Sequence, residues 1–397
     1  MINHEFALVA GSWFDGERHH SNGPTTFTIR KGRISDIADG DHGPALLAQG
    51  MEVTRSAFLM PGLADAHVHL FLDGVATDGP IRAAHLKQPV EQLLEAARTS
   101  AHQSLACGVT LVRDAGDRHG INHQIRDEAS IPGSGLCRVH SGGMGIKRPH
   151  RYGSFMGVDV KDGVSVAEAV SVQARSSDAI KLILTGIIDF DAGAVTDEPQ
   201  FTLEETRSVV TVSRAAGRSV FAHCSGAKGL AIAATAGVGS IEHGFFMQRS
   251  HLELMLKNHV AWTPTFCPVH FQWAHPEVLG WSAQTVGNLR RILDNHVQHL
   301  SMAAEMGVTL LLGTDSGSMG VEHGRAVFSE ISRFLEAGLS LEQTLSAATA
   351  NCRRHFNMQF PTLVRGAPFE ALLLAQDPFV KLDALTSPQQ IWPAIAT

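Results

Sequence analysis

Hydrophobic and polar positions divide the chain into a strand-rich beginning, a long alternating centre and a short strand-like end. Up to residue 58, short apolar runs are separated by turn residues such as Asn22-Gly-Pro and Lys31-Gly, a pattern typical of β-strands. Beyond this point, short apolar runs alternate with segments of helical periodicity, for example 90–98, 203–210 and 288–293, as in repeated β/α units. The pattern therefore predicts a small β-rich module followed by a larger α/β domain.

The central apolar runs number about eight, which is the number of strands that a (β/α)8 barrel requires. They lie at 58–65, 109–113, 137–140, 179–184, 219–223, 240–243, 261–265 and 308–314. Their near-continuous apolar character is typical of parallel strands that are covered by helices.

A last apolar run at 370–375 is expected to return to the amino-terminal module and pair with it. We therefore predict an α/β fold with a (β/α)8 TIM barrel at 59–355. A small β-sandwich is expected to form from the two ends of the chain, 1–58 and 356–397.

Composition and charge narrow the classes of function. Acidic residues outnumber basic residues by 39 to 32, so the chain lacks the basic excess typical of nucleic-acid binding. No apolar stretch reaches the roughly 18 residues that span a bilayer, and the amino terminus lacks the positive region of a secretory signal. Five cysteines without a Cys-x-x-Cys pair favour a reducing compartment. We expect a cytoplasmic protein that acts on a small molecule, without nucleic acid or membrane partners, alone or as a homo-oligomer.

Histidine is abundant, with 22 residues, and two of them follow the first predicted barrel strand. His67 and His69 are two positions apart, so in an extended chain both imidazoles point to the same side. Active sites of such barrels lie at the carboxyl ends of the strands, where two imidazoles can share a metal ion. Taken alone, a His-x-His motif is a weak signal, because such a pair is more often solvated or packed in the core than bound to a metal.

A single lysine, Lys181, lies inside the fourth apolar run. A buried ammonium group is costly unless something compensates its charge. The compensation can be a salt bridge, a depressed pKa, or carboxylation of the amine, which creates a bidentate ligand for two cations. The alternative interpretation is that Lys181 marks the strand edge and reaches solvent.

Three more ligand-type side chains, His223, His243 and Asp315, follow later apolar runs. A single buried histidine is more often hydrogen-bonded than metal-bound, and a single aspartate after a strand often caps a helix. Six such donors on five predicted strands are difficult to explain as independent events. Nitrogen and oxygen donors of this kind suit zinc or a similar transition-metal ion.

In this order, the motifs resemble those of the amidohydrolase superfamily of metal-dependent hydrolases. The matching residues are Pro61-Gly-x-x-Asp65-x-His67-x-His69, Lys181, His223, Ile241-Glu-His243-Gly and Gly313-Thr-Asp315. The resemblance covers nearly the whole chain, because the segments 30–34 and 366–378 are similar to the strands that open and close the family's β-sandwich. Within the superfamily, the chain is similar to prolidase-like dipeptidases and imidazolonepropionase-like enzymes.

The resemblance implies a site for two divalent ions, with zinc expected and manganese or cobalt as alternatives. One ion would be held by His67, His69 and Asp315, the other by His223 and His243, with N6-carboxylated Lys181 and a hydroxide between them.

The resemblance also implies roles for two acidic residues, and strand geometry suggests a role for a third. Asp315 is expected to take the proton of the hydroxide and pass it to the leaving amine, as general base and then acid. Asp65 is expected to orient a histidine ligand. Glu242 is expected to face away from His243, because alternate strand residues point to opposite sides, and therefore to have a structural role.

Substrate contacts are expected from the loop after the third predicted strand. His140-Ser-Gly-Gly-Met144 stands where relatives often carry Thr-Gly-Gly-His. We expect Tyr152, the only tyrosine, or His140 to contact the scissile carbonyl oxygen, with simple packing as the alternative for Tyr152. Arg113 and Arg151 are candidates to bind a substrate carboxylate bidentately, or else to form ion pairs within the protein.

Together these features predict a hydrolase that cleaves a C–N amide bond in a small molecule, such as an N-acyl amino acid, a dipeptide or a cyclic amide. A hydrolytic deaminase is disfavoured, because it would lack Lys181 and would carry a glutamate soon after His223. An esterase, lactonase or carbamate hydrolase stays open, since the same hydroxide attacks many acyl centres. A non-catalytic scaffold is disfavoured by the complete ligand set.

Overall fold

The computed structural model describes residues 5–161 and 163–393. The strands are β1 (Phe6–Phe14), β2 (His19–His20), β3 (Thr25–Arg30), β4 (Arg33–Asp39), β5 (Glu52–Pro61), β6 (Leu63–Val68), β7 (Val109–Asp114), β8 (Arg138–Ser141), β9 (Gly145–Lys147), β10 (Gly157–Asp159), β11 (Ala179–Ile183), β12 (Ser219–Cys224), β13 (Ser240–His243), β14 (Ala261–Thr263), β15 (Ala371–Leu374) and β16 (Gln390–Trp392). The helices are α1 (Gly43–Ala48), α2 (Gly79–His85), α3 (Val90–Ala106), α4 (Ile121–Ala129), α5 (Val166–Gln173), α6 (Leu203–Ala215), α7 (Ala227–Ala236), α8 (Arg249–Lys257), α9 (Cys267–Ala274), α10 (Pro276–Leu279), α11 (Ala283–Met306), α12 (Ala326–Glu336), α13 (Leu341–Ala347) and α14 (Ala350–His355), and a 3-10 helix spans Leu382–Thr386.

Within the described residues, the two ends of the chain form one mixed sheet of seven strands. Its order is β16-β15-β5-β1-β3-β4, with β2 paired to β1. The central strand β5 is parallel to β1 and antiparallel to β15, with Ala371 opposite Pro61 and Leu373 opposite Leu59. The predicted return of the carboxyl-terminal run to the amino-terminal strands is therefore confirmed.

The first predicted barrel strand, 58–65, is wrong in its bounds because it divides between two sheets. Strand β5 ends in the terminal sheet at Pro61, and β6 begins in the barrel at Leu63. Gly62 lies between them, where a Cβ atom would overlap the side chain of Thr110. Glycine lets the chain pass from one sheet to the other because it leaves room for the neighbouring strand.

The central strands form two parallel sheets, β6-β7-β8 and β10-β9-β11-β12-β13-β14. The segment 309–316 lies between β14 and β6 and joins the sheets. The backbone N of Trp262 in β14 donates to the carbonyl of Thr309 over 2.9 Å, and the backbone N of Ala66 in β6 donates to that of Leu312 over 2.8 Å. The eighth predicted run therefore bridges the sheets through separate hydrogen bonds rather than as one regular strand.

The other edges of the two sheets meet beside β11, where the backbone N of Asp178 donates to the carbonyl of Ser141 over 2.9 Å. The short strands β9 and β10 lie in the loop after β8 and were not predicted, because glycines interrupt the apolar pattern there. Helices connect most of the successive strands. This is the predicted α/β fold, with the strands arranged as in a (β/α)8 barrel.

The helices pack their apolar sides on the outside of these strands. Helix α6 begins at a capping box in which Thr202 and Glu205 each accept a hydrogen bond from the other's backbone N–H. Its buried residues include Val209 and Val210, and burying one such side chain stabilises the fold by about 1.5–3 kcal/mol. No helix in the described ranges is long and apolar enough to cross a membrane.

A buried ion pair connects the terminal sheet to the barrel. Glu370, next to β15, accepts hydrogen bonds from Arg353 in α14 and from Thr110 in β7. Burial alone raises the pKa of Glu370, but the positive charges of Arg353 and Arg138 outweigh burial, so this pKa lies below its ordinary value of 4.5. The ionised carboxylate therefore stabilises the contact between the two parts.

We predict that Glu370→Gln lowers the free energy of unfolding at pH 7 by about 3–5 kcal/mol, because Arg353 is then left buried without a counter-charge. A carboxylate whose pKa is lowered by folding stabilises the native state at neutral pH, and this contribution is lost as the pH falls through the folded pKa. The difference between the variant and the parent should therefore shrink below about pH 4.5. Urea unfolding of the variant and of the parent at several pH values measures this difference in stability. The exposed Glu305 provides the control Glu305→Gln, with a change within about 0.5 kcal/mol.

Candidate metal centre

The six predicted ligands come from five segments of the chain and meet near the carboxyl ends of the parallel strands. They are His67 and His69 at the end of β6, Lys181 in β11, His223 in β12, His243 in β13, and Asp315 in the segment that joins the sheets. Five of the six side chains belong to buried residues, and the side chain of Asp315 is 15% exposed. These residues share one region, as their spacing on the predicted strands led us to expect.

His67, His69 and Asp315 form a compact group of three donors. The Nε2 atoms of His67 and His69 lie 3.6 Å and 3.7 Å from Oδ1 of Asp315, and the three ligand atoms lie within 4.8 Å of one another. The other ring nitrogen of each histidine is already hydrogen-bonded: Nδ1 of His67 to Glu242 over 2.7 Å, and Nδ1 of His69 to the carbonyl of Gly116 over 3.0 Å. This leaves Nε2 of each ring as a metal donor.

His223 and His243 lie beside this group. Their ring centroids are 4.6 Å apart, and the ring of His243 is 4.8 Å from that of His67. His243 is held by a 2.7 Å hydrogen bond between Nδ1 and Oγ1 of Thr265, and His223 by a hydrogen bond with the backbone of Gly186. Nε2 of His223 is buried without a hydrogen-bond partner in the described structure, which fits a ligand position.

Lys181 is 1% exposed, and its Nζ has no hydrogen-bond partner among the described residues. Nζ lies 4.9 Å from the centre of the Phe221 ring, which offers only weak compensation for a positive charge. Burial lowers the pKa of Lys181 to about 8. Of the alternatives considered for this lysine, the solvent-exposed strand edge is wrong, because the amine lies inside the barrel.

The four histidines are kept neutral by their surroundings. Burial lowers the pKa of His69 and of His223 to about 3, and the positive charge of Lys181 adds to this effect. Burial also lowers the pKa of His67 and of His243 well below 6.5. Neutral imidazole is the form that binds metal ions, so the rings are prepared for coordination.

The carboxylate that orients a ligand histidine is Glu242, not Asp65 as predicted. Oε2 of Glu242 bonds the His67 ring, whereas Asp65 accepts hydrogen bonds from the backbone of His67 and from the backbone and hydroxyl of Thr314. Asp65 thus fixes the two chain segments that carry ligands. The role of Glu242 had one signal in the sequence: it is an ionisable residue in the middle of a short apolar strand.

Glu242 and its neighbour His243 both reach the site because the backbone turns between them. His243 has φ of 67°, and Thr265 and Asp315 have φ of 51° and 58°. These left-handed conformations are uncommon for residues with side chains. They interrupt the alternation of side-chain directions, so the predicted opposite facing of Glu242 and His243 is wrong.

The structure contradicts the prediction that Arg113 binds a substrate carboxylate. Its guanidinium is 1% exposed and donates to Glu242 over 2.7 Å and to the carbonyl of Ala66 over 2.8 Å. The group also stacks on Phe221, with 4.3 Å between the guanidinium carbon and the ring centre. Arg113 therefore supports the site from inside the barrel, in agreement with the alternative of an internal ion pair.

The structure also contradicts a substrate contact for His140. Its ring stacks on Phe356 at 4.6 Å and lines a cavity of about 490 Å3 together with Arg138 and Ser219, which begin their strands. This cavity lies at the amino-terminal end of the barrel, opposite the histidine cluster. His140 is on the inner face of β8 but too far down the barrel to touch a substrate at the site.

Of the two remaining substrate candidates, the structure brings only Tyr152 to the site. The Tyr152 ring lies 5.1 Å from that of His223 and lines the same cavity as His243 and Asp315. Burial raises the pKa of Tyr152, so the phenol keeps its proton and can donate it in a hydrogen bond. Arg151 instead donates to the carbonyl of Glu198 and does not line the cavity.

The fold and the ligand set together define a class of protein: an α/β barrel with nitrogen and oxygen donors converging at the carboxyl ends of its strands. Residues 58–393 match the profile of the Amidohydrolase family. The chain belongs to this family, as its motifs led us to expect.

Known relatives are distant in sequence but similar in fold. An ochratoxinase of Aspergillus niger is 26% identical over 367 residues, which cover 85% of this chain and 74% of the relative. An uncharacterised protein of Mycobacterium bovis is 27% identical over 345 residues, which cover 86% of this chain and 85% of the relative. The crystal structure of a Xaa-Pro dipeptidase superposes with a TM-score of 0.82 at 23% identity, over 98% of each chain.

We predict that Arg113→Met lowers the free energy of unfolding by about 3–5 kcal/mol, because it leaves Glu242 charged and buried without its partner. Denaturant unfolding of the purified protein measures the change. Arg151→Met is the control, since its guanidinium contacts only a loop carbonyl, and its effect should stay within about 0.5 kcal/mol. An Arg113→Met variant as stable as the parent would contradict the supporting role of this ion pair.

Proposed function

We propose that this protein is a metal-dependent hydrolase that cleaves a C–N amide bond in a small molecule. The observation that carries the proposal is the convergence of four neutral histidines, a buried lysine and an aspartate. Three nitrogen atoms of this group are buried without a hydrogen-bond partner among residues 5–161 and 163–393: Nε2 of His67, Nζ of Lys181 and Nε2 of His223. Buried polar atoms are rarely left unsatisfied in native proteins. A metal centre would satisfy them together.

The names of the relatives support this reaction class. A dipeptidase acts on an amide bond, and it shares this fold across the whole chain. Membership of the amidohydrolase family supports a hydrolase that acts on amide bonds. For this chain, an N-acyl amino acid, a dipeptide and a cyclic amide are the candidate substrates.

The side chains fit the binding of two divalent ions. His67, His69 and Asp315 would hold one ion, and His223 and His243 the other. Lys181, whose charge is close enough to lower the pKa of all four of these histidines, would bridge them as the carboxylated amine. Imidazole and carboxylate donors favour zinc, and manganese or cobalt are alternatives. When bound, such ions polarise a substrate carbonyl and lower the pKa of a coordinated water.

The chain's own residues supply positioning and proton transfer. Asp315 has Oδ1 within 4 Å of two imidazoles and Oδ2 in a 3.0 Å hydrogen bond with Ser318. Its carboxylate would accept the proton of the attacking water and return it to the leaving nitrogen. Tyr152, across the cavity near His223, would donate a hydrogen bond to the carbonyl oxygen as negative charge develops there.

Hydrolysis of an ester, lactone or carbamate is the alternative on the same site, because the attack on an acyl carbon requires the same groups. A scaffold without catalytic activity would not need free donors on His67, Lys181 and His223. Elemental analysis of protein purified without chelators separates the classes: about two equivalents of metal per chain support the enzyme, and the absence of metal supports the scaffold.

We predict that Lys181→Ala lowers the metal content of the purified protein. The value of kcat/KM for any substrate found should fall by more than the roughly 10–100-fold that the loss of an outer-shell partner costs. The reason is that the variant lacks the amine between the two ion positions. Mass spectrometry of the metals measures the metal content. A short-chain carboxylic acid added to the variant should restore part of the metal content and part of the activity. Full metal content and activity in Lys181→Ala would contradict the bridging role.

The matched control for this experiment is Lys147→Ala. Lys147 is also buried on a neighbouring strand, at 2% exposure, but its Nζ forms a 2.6 Å ion pair with Asp159. Its replacement should affect stability while leaving the metal content unchanged. Equal metal loss in both variants would mean that lysine burial in general, rather than the position of Lys181, controls binding.

We predict that Tyr152→Phe lowers kcat by about 10²–10³-fold with little change in KM, the effect of removing one donor to a developing oxyanion. The variant keeps the ring contact with Phe155, at 6.1 Å between centroids, so the packing of the loop should be preserved. Steady-state kinetics with the parent's substrate, together with a thermal melting curve, distinguish a hydrogen-bonding role of Tyr152 from a packing role. An unchanged kcat would assign Tyr152 to packing.

A further inference from the structure

The cavity beside the histidine cluster is lined by both polar and apolar residues. Its volume is about 190 Å3, and His223, His243 and Asp315 are among the polar ones. Six apolar residues also line it and are called the apolar wall below: Ile187, Ile188, Phe190, Phe245, Pro268 and Val269. Ile188, Phe245 and Val269 are buried, whereas Ile187 is 59% exposed at the rim. An exposed isoleucine beside a catalytic cavity is available to an apolar part of a ligand.

No lysine or arginine lines this cavity among the described residues. Both arginines predicted to bind a substrate carboxylate are engaged elsewhere: Arg113 with Glu242 inside the barrel, and Arg151 with the carbonyl of Glu198. The one nearby exposed lysine that contacts the rim segment, Lys228, pairs with the side chain of Glu198. A carboxylate that lies in the cavity away from the proposed metal positions would therefore lose its hydration without gaining an ion pair from the lining.

The rim adds negative charge. The segment 186–198 supplies Ile187, Ile188 and Phe190 to the apolar wall, and it also carries Asp189, Asp191 and Asp197 with no basic residue, whereas its Glu198 is paired with Lys228. Side chains of one sign around an opening repel ligands of the same sign. Anionic compounds are thus disfavoured both at the opening and inside.

We infer that the substrate of this site, and hence of the hydrolase proposed above, carries an uncharged apolar group on the scissile bond and no carboxylate beside it. This inference rests on the proposed function and narrows it. Neutral amides, cyclic amides, carbamates and ureas with aliphatic or aromatic substituents fit the cavity, and dipeptides and N-acyl amino acids do not. The apolar group lies on the wall formed by the segment 186–198 and helix α9, and the reacting carbonyl lies beside His223, His243 and Asp315.

A pair of compounds that differ only in the carboxylate tests this inference. N-acetylphenethylamine and N-acetylphenylalanine contain the same acyl group and ring. On the metal-containing protein as purified, we expect the neutral compound to bind at least about tenfold more tightly by isothermal calorimetry, and to be hydrolysed with a correspondingly higher kcat/KM. Equal or tighter binding of N-acetylphenylalanine overturns the inference, and so does the absence of binding by both.

The binding and the turnover measurements keep the two proposals apart. In one outcome the neutral compound binds preferentially, but neither it nor the matching ester or carbamate is hydrolysed. This result supports the pocket inference and counts against the proposed function. Hydrolysis with a preference for the carboxylate supports the function and overturns the inference.

A variant of the lining provides an independent test. Gln272 lines the cavity on α9 and is half-buried, and it has no role in the proposed chemistry. Gln272→Arg introduces the missing cation, and it should shift the ratio of the two binding constants toward N-acetylphenylalanine by about tenfold or more. Gln272→Met, which has a similar size and no charge, is the matched control and should leave the ratio unchanged. A ratio that is the same in both variants contradicts the role assigned to the missing cation.

Discussion

The ion pair between Arg113 and Glu242 inside the barrel is the interaction on which the rest of the site depends. It joins β7 to β13 over 2.7 Å, with both side chains at 1% exposure or less. The second oxygen of Glu242 holds Nδ1 of His67 on β6. One carboxylate therefore neutralises the arginine, connects three strands and selects the histidine nitrogen that is left for a ligand. Removing either charge would leave the other buried alone, which costs far more than the pair contributes.

A second constraint is the backbone at the ends of three neighbouring strand segments. His243, Thr265 and Asp315 have positive φ, which costs on the order of 1–3 kcal/mol per residue. Such conformations persist when neighbouring contacts over-determine them. The backbone N of Asp315 donates to the carbonyl of His67 over 2.7 Å, and Nε1 of Trp262 donates to that of His243 over 2.9 Å. The cost of the turned backbone is thus offset by hydrogen bonds that direct the ligands toward one point.

The sequence predicted the fold and the convergence of the candidate ligands more completely than the supporting contacts, and the reason is physical. Candidate ligands such as His223 follow an apolar run, so the rule that barrel sites form at carboxyl ends was sufficient to select them. The role of Glu242 depends on a contact 175 positions away, with His67, and on the positive φ of His243, which strand alternation does not reveal. For the same reason, Arg113 was assigned to the substrate: its partner on β13 is close in space only after the barrel forms.

The terminal sheet also shows what the hydrophobic pattern of the sequence does not predict. The strand expected at 58–65 was a single apolar run, and nothing in its hydrophobicity marks the change of sheet at Gly62. The signal is steric, since the close approach of Thr110 excludes a Cβ there, and it depends on a strand far along the chain. Apolar runs therefore located most of the barrel strands, but they did not reveal where a strand passes from one sheet to the other.

The distribution of charge explains why the interior cations are not available to a ligand. Three acids, Asp65, Asp114 and Glu242, are buried beneath the site at 1% exposure or less, and each is costly without compensation. Burial raises the pKa of Asp65 and of Asp114 to about 7, and the charge of Arg113 opposes this effect at Asp65. The barrel therefore uses Arg113, which also pairs with Glu242, to stabilise acids that position the candidate ligands. A cation that recognised a substrate carboxylate would have to come from the loops above, and the segment 186–198 supplies only acidic and uncharged residues. The same electrostatic balance that builds the centre thus leaves the cavity above it suited to uncharged groups.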